Sequence, residues 1–171
     1  MKKILAIVLA LTMVLVFAAP VSANSQTWNL RADGPDENID VGSVQVVSHN
    51  GNVVITMALD VGDWEFVETH VHVANSKDGI PHNGNWNPKI GKFAYSSEHD
   101  PLTEQVVTVT YTIPNPSGDT LYIAAHAEVY SATEIDPDTL VAPREESAWV
   151  QGSQMNTGKS WAMYVTHNEL L

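Results

Sequence analysis

The segment Trp64-Glu65-Phe66-Val67-Glu68-Thr69-His70-Val71-His72-Val73 has the polar and apolar alternation of a β-strand over much of its length. Successive side chains of a β-strand point to opposite faces. Glu68, His70 and His72 therefore share one face of a predicted strand. The opposite face carries three valines: Val67, Val71 and Val73.

A second segment, Leu121-Tyr122-Ile123-Ala124-Ala125-His126-Ala127-Glu128-Val129, alternates in the same way. His126 and Glu128 share one face of this predicted strand, and the opposite face is apolar. If the two strands are neighbours, three imidazoles and two carboxylates converge. This convergence is the main functional signal in the sequence.

Strand signals recur along the rest of the chain, with turn residues between them. Asn50-Gly51 is the strongest hairpin signal, because both positions of its turn need a positive φ. Further strands are predicted at residues 28–31, 42–49, 52–60, 105–113 and 161–166, and long loops at residues 75–92 and 131–159. These signals predict an all-β fold: one antiparallel β-sandwich, immunoglobulin-like or Greek-key, of roughly six to eight strands.

The N-terminus has the features of a secretory signal peptide. Lys2 and Lys3 precede an apolar run over residues 4–17, and Val21-Ser22-Ala23 offers small residues for cleavage. We expect residues 1–23 to be removed and residues 24–171 to form a single domain. The mature protein is then secreted, extracellular or associated with a cell wall, with no membrane span after cleavage.

The composition excludes several classes of function. The chain has 20 acidic and 8 basic residues, a net charge of −12. This balance argues against nucleic acid and anionic membranes as partners, because phosphate binding needs concentrated positive charge. Cysteine is absent, which excludes disulfides, thiolate metal sites and thiol catalysis.

The histidines predict a transition-metal site. His70 and His72 can chelate one ion from a single strand face, and His126 would complete three ligands that suit zinc or copper. Glu68 would be a fourth ligand, an acceptor that orients a histidine, or a general base. Three further residues are possible additional ligands: Glu128, His82 and His99. The alternative is that these histidines are structural, buried and bonded to carboxylates or backbone.

Three segments together resemble the copper–zinc superoxide dismutases and the chordin-type domains. They are His70-Val71-His72, Ile80-Pro81-His82 followed by Asn87-Pro88, and the strand that ends in His126. The resemblance implies that His70, His72 and His126 bind copper and that His82 bridges to zinc. The disulfide pair of the dismutases has no counterpart here.

A broader stretch resembles uncharacterised exported surface proteins of prokaryotes. The resemblance lies in residues 68–73, 87–95, 123–127 and 146–149. It implies an extracellular or wall-associated β-sandwich module and assigns no chemistry.

The sequence is also compatible with two other classes of ligand, a carbohydrate and calcium. Sugar rings stack on exposed aromatic side chains, and Trp86 and Trp149 lie in predicted loops where a carbohydrate or another surface polymer could bind. Calcium is less favoured, since Glu134, Asp136 and Asp138 match no EF-hand spacing. The motifs Gly-x-Ser-x-Gly and His-Glu-x-x-His are both absent, so a binding protein is favoured over an enzyme.

Overall fold

The computed structural model describes residues 24–32, 39–60, 64–133, 142–156, 158 and 160–168. The predicted signal peptide and the calcium candidates Glu134, Asp136 and Asp138 lie outside these residues. The regular structure is antiparallel β apart from two single-turn 3-10 helices, Lys77–Gly79 and Ile90–Lys92. No helix in the described ranges is long and apolar enough to cross a membrane.

The described residues form ten strands. They are β1 (Ser25–Ala32), β2 (Ile39–His49), β3 (Asn52–Leu59), β4 (Trp64–Ala74), β5 (Tyr95–Glu98), β6 (Thr108–Pro114), β7 (Thr120–Ser131), β8 (Arg144–Val150), β9 (Ser153–Gln154) and β10 (Met163–Asn168). Asn50 and Gly51 connect β2 to β3 with φ values of 50° and 75°, which confirms the predicted hairpin.

Hydrogen bonds link these strands into one sheet in the order β5-β4-β7-β8-β1-β2-β3-β6, and β10 joins β7 and β9. The ends of the sheet nearly meet. The Phe66 amide donates to the Val106 carbonyl at 2.9 Å, just before β6. The Tyr111 hydroxyl of β6 lies 2.6 Å from Thr69 Oγ1 of β4. The antiparallel all-β class is confirmed, and its strands form one continuous, nearly closed sheet rather than two visibly separate ones.

A β-bulge in β4 decides which side chains enter the core. The pairing of β4 with β7 shifts register between Phe66 and Glu68. Without the shift Phe66 would share the face of His70, whereas in the structure Phe66 and Val71 are both fully buried in the main core. The expectation that Val67 shares a face with Val71 and Val73 fails at this shift: Val67 lies in the bulge and is only partly buried, and Phe66 fills the core instead.

The predicted loop over residues 131–159 was also wrong in part, because it contains β8 and β9. Trp149 therefore lies on a strand and not in a loop. The charged start of β8, Arg144-Glu145-Glu146, hides the strand pattern in the sequence. The short edge strand β5 was missed because four residues carry too little periodicity.

Two hydrophobic clusters pack on the sheet. The main core fills its inner face and includes Phe66, Val71 and Val129. A second cluster lies outside, where the loop over residues 75–94, which we call the covering loop, and the described residues between 155 and 162 cover part of β7 and β8. It consists of Ile80, Phe93, Ala124, Trp149, Met155 and Ala162. These loops shield the face that carries His126, because His126 and Ala124 project from the same side of β7.

Candidate binding sites: a histidine–glutamate cluster and a tryptophan cleft

The predicted ligands His70 and His126 face each other on neighbouring strands. They are directly paired in the β4–β7 register, as are Glu68 and Glu128. The two imidazole centroids are 5.9 Å apart. We call these four residues the His–Glu cluster.

Each histidine of the cluster is bonded to a glutamate of its own strand. His70 Nε2 lies 2.7 Å from Glu68 Oε1. His126 Nε2 lies 3.3 Å from Glu128 Oε1. The Ser147 hydroxyl of β8 also donates to Glu128 Oε1, at 2.8 Å. These bonds are possible because residues two apart on a strand share a face.

The imidazoles of the cluster are buried and its carboxylates are not. His70 is 7% and His126 2% exposed, whereas the side chains of Glu68 and Glu128 are 34% and 42% exposed. Trp149 covers His126, with ring centroids 4.7 Å apart. His126 Nδ1 is buried and has no hydrogen-bond partner among the described residues.

One acidic neighbour of the cluster was missed at the level of sequence. Glu98 of β5 pairs directly with Glu68, so Glu98, Glu68 and Glu128 form a row across three adjacent strands. The hydrogen bond from His126 lowers the pKa of Glu128. Burial opposes this shift, and the Ser147 hydroxyl and the charges of His126 and His70 add to it. His126, Ser147 and His70 thus favour the ionised form of Glu128.

His72 has partners other than the cluster. Its Nδ1 accepts a hydrogen bond from the Ala94 amide at 3.2 Å, and its ring also bonds to the backbone of Gly79. Burial lowers the pKa of His72, and the bond to Gly79 opposes the shift. Since both hydrogen bonds of the His72 ring go to the backbone of the covering loop, His72 anchors that loop to β4.

The two remaining histidine candidates lie in other environments. The His82 ring packs on Trp86, with centroids 4.0 Å apart. His99 Nδ1 lies 3.7 Å from Glu104, and His99 Nε2 is buried without a partner in the described ranges. The structure therefore brings together His70, His126, Glu68 and Glu128. Within the described residues, no group of three or more His, Asp or Glu side chains is arranged to hold a metal ion.

A cleft of about 620 Å³ opens between the loop after β4 and the segment around β9. Its lining is rich in amide side chains and includes one tryptophan and one lysine. The lining residues are Lys77, Asn85, Trp86, Asn87, Gln154, Met155, Asn156 and Gly158. We call this feature the Trp86 cleft. Met155 connects it to the second hydrophobic cluster.

A tight turn holds Trp86 in an unusual backbone conformation. Its φ is +60°, a region that costs a non-glycine residue about 1–2 kcal/mol. The Trp86 amide donates to the Asn83 carbonyl at 3.0 Å. The Asn83 side chain accepts from the amides of Asn85 and Asn87, at 2.9 and 3.1 Å. The asparagines of the loop thus fix the strained turn that presents the indole.

Asn156 joins the two walls of the cleft. Its side-chain amide donates to the Asn85 carbonyl at 3.1 Å and to Asn87 Oδ1. Its own Oδ1 accepts from the Gly158 amide at 2.6 Å. The cleft is therefore held together by amide groups from two segments that lie far apart in sequence.

The two predicted ligand aromatics have different positions. Trp86 is partly exposed in the cleft. Trp149 is 4% exposed and packs between His126 and Phe93, away from the cleft lining. Sequence reasoning missed the other seven lining residues: Lys77, Asn85, Asn87, Gln154, Met155, Asn156 and Gly158. The density of asparagine in residues 75–92 was a signal only for the part of the lining that lies in this loop.

No family model, no curated protein and no solved structure matches this chain. The two resemblances noted in the sequence therefore stay predictions. A function can be inferred only from the geometry of the His–Glu cluster and of the Trp86 cleft.

Proposed function

We propose that this protein is a secreted or cell-surface module that binds an extracellular polysaccharide in the Trp86 cleft. The observation that carries the proposal is the strained turn at Trp86. Backbone strain tends to persist where function requires it. Here a φ of +60° is maintained by asparagine hydrogen bonds and presents an indole beside amide side chains.

The chemistry of the cleft suits a hydroxyl-rich ligand. Each asparagine or glutamine side chain carries donors and an acceptor, and a sugar hydroxyl needs both. The side chains of Asn85, Asn87 and Gln154 supply such groups on both walls, while Asn156 is bonded within the cleft. Ligand sites combine an apolar surface with a few placed polar groups, which matches Trp86 and Met155 among these amides.

Affinity electrophoresis of the mature chain in gels containing single polysaccharides tests this proposal. We expect at least one polysaccharide to retard the protein. Trp86→Ala should weaken this retardation at least tenfold, because it removes the aromatic wall. Leu102→Ala is the control, since Leu102 is 81% exposed and absent from the cleft lining. The proposal fails if no polysaccharide is bound, or if Trp86→Ala binds as the unmodified chain does.

Export is part of this proposal and has its own test. Sequencing of the N-terminus of the exported protein should begin at Asn24, as the predicted cleavage site requires. A mature protein that retains Met1 would contradict it.

A second proposal is that the His–Glu cluster binds one zinc or copper ion. The observation that favours it is the facing of His70 and His126, each bonded through Nε2 to a carboxylate. Metal-bound histidines commonly donate their other ring N–H to a carboxylate, and His126 Nδ1 lacks a partner among the described residues. Binding at this position requires the side chains to move, since they are not arranged around an ion.

Calorimetric titration of the tag-free chain with zinc and with copper tests the second proposal. His70→Ala and His126→Ala should each abolish binding, because each removes one of the two facing imidazoles. His72→Gln should leave it intact if His72 only anchors the loop, whereas a site of all three histidines would lose its ion. Absence of saturable binding tighter than about 10 µM, roughly −7 kcal/mol, would defeat the metal proposal.

A further inference from the structure

The covering loop has the opposite charge to the rest of the chain. Residues 75–92 contain three lysines, Lys77, Lys89 and Lys92, and a single acid, Asp78, within a chain whose net charge is −12. After residue 23 the whole sequence has only six basic residues, so half of them lie in this loop. Lys89 and Lys92 are exposed. The loop is therefore a positive region on an acidic protein.

Lys77 brings one of these charges into the cleft. Its ammonium lies 4.5 Å from the centroid of the Trp86 ring and 5.3 Å from that of Tyr164. Its side chain is partly buried. These two rings hold the ammonium beside Trp86, which lines the cleft with it.

Lys77 differs from the arginines of the described chain in having no carboxylate partner there. Arg31 lies 2.8 Å from Asp40, and Arg144 lies 2.8 Å from Glu146. The described lining of the cleft contains no aspartate or glutamate, and the adjacent Asp78 is exposed outside it. An acidic group of a ligand would meet an unneutralised cation among amide donors.

We infer that the ligand of the Trp86 cleft is an acidic polysaccharide, and that Lys77 binds its anionic group. This inference rests on the proposed function and adds the class of sugar to it. Lys89 and Lys92 attract the same polymer from outside the cleft. The shared chemistry is an anionic oxygen on a sugar, as in a uronic acid or a sulfated sugar.

The charge pattern explains how an acidic protein can bind an acidic polymer. Repulsion between exposed charges is screened beyond about 8 Å at physiological ionic strength, so distant carboxylates matter little. A partly desolvated contact between Lys77 and an anion is screened less. Binding should weaken as salt rises, but less for the cleft contact than for the exposed lysines.

Matched polymers separate this inference from the proposed function. Polygalacturonate, its carboxyl-reduced neutral form, dextran and dextran sulfate would be compared by affinity electrophoresis and calorimetry. We expect an acidic polymer to bind at least tenfold more tightly than its neutral counterpart. The comparison within each pair identifies carboxylate or sulfate as the preferred group.

Variants assign the effect to the cleft. Lys77→Met keeps the aliphatic stem over the rings and should weaken binding of the acidic polymer about tenfold, close to 1.4 kcal/mol. It should weaken binding of the neutral form much less, because that polymer offers Lys77 no anionic group. Lys92→Met removes a lysine outside the described lining and should reduce affinity only two- to threefold, while Asp78→Asn should increase it slightly. Circular dichroism of each variant confirms that the β fold is kept.

The outcomes are distinguishable. If the neutral polymers bind as tightly as the acidic ones and Lys77→Met has no effect, the inference is overturned and the proposed function stands. If Lys92→Met weakens binding as much as Lys77→Met, the attraction is a surface effect and the assignment to Lys77 is overturned. If no polysaccharide binds, both the inference and the proposed function fall.

Discussion

The His–Glu cluster and the Trp86 cleft are both polar, yet their groups are satisfied in different ways. In the cluster, His70 and His126 are bonded to glutamates of their own strands. In the cleft, Lys77 has no carboxylate partner in the described chain, and the amides line an open space. The histidines that stand out in the sequence thus bond mainly to glutamates of their own strands. The polar side chains that remain available to a ligand, such as Lys77 and Gln154, gave no signal in the sequence.

Two tryptophans give the sharpest test of this difference. Trp149→Ala should destabilise the protein by about 3–5 kcal/mol, because it leaves a cavity beside His126 and Phe93. Trp86→Ala should cost about 1 kcal/mol or less, because Trp86 is partly exposed on a loop. Urea unfolding followed by circular dichroism measures both. Similar losses for the two variants would erase the distinction between a structural and a ligand-facing tryptophan.

Trp86→Gly tests whether strain is maintained in the cleft. Glycine adopts a φ of +60° without the steric cost that alanine carries. The glycine variant should therefore be more stable than Trp86→Ala by about 1 kcal/mol, while both lose ligand binding. Paired thermal and urea unfolding measures the difference. A glycine variant less stable than the alanine variant would mean that the turn is not strained.

The hydrogen bonds of the His–Glu cluster should affect how the free energy of unfolding decreases at acid pH. The pKa of Glu128 is lowered from 4.5 in the folded protein. Its ionised form therefore contributes stability that is present above pH 4.5 and is lost as the pH falls through the lowered pKa. Glu128→Gln should reduce this acid-dependent loss, with an effect below about 1 kcal/mol because the carboxylate is partly exposed.

Glu98→Gln is the matched control, because Glu98 belongs to the same row and makes no bond to a histidine in the described chain. It removes a carboxylate of the row but no hydrogen bond to His126 or Ser147, so it should cost less stability at pH 7 than Glu128→Gln. Urea unfolding from pH 3 to 7 provides the comparison. Equal changes in the two variants would mean that the bonds to His126 and Ser147 have no special role.

The smallest expected effect concerns His72. The pKa of His72 is lowered from 6.5, so the unfolded chain takes up a proton at a higher pH than the folded one. Stability should begin to fall as the pH drops below 6.5 and should stop falling below the lowered pKa. His72→Gln can keep both hydrogen bonds without titrating, and should flatten this part of the curve. An unchanged slope in that variant would show that His72 does not contribute to it.

The sequence predicted most of the strands, and the shared strand faces of the histidines and glutamates on two of them. Period-two alternation is a local property, so β4, β7 and the hairpin at Asn50-Gly51 were visible in it. It failed where local signals were short or masked by charge, as in β5 and β8. It also missed the bulge near Val67, because a bulge follows from packing against the partner strand.

Local patterns along the chain are enough to establish its β-class, its acidic balance and the shared strand faces of His70, His72, His126 and the glutamates. They do not show which of these groups meet, that His72 bonds to the covering loop, or that Trp149 is buried while Trp86 lines a cleft; these features appear only once the chain is folded. The physical reason is the range of the interactions. Alternation depends on neighbours along the chain, whereas pairing register, burial and the joining of Asn156 to Asn85 depend on segments brought together by folding.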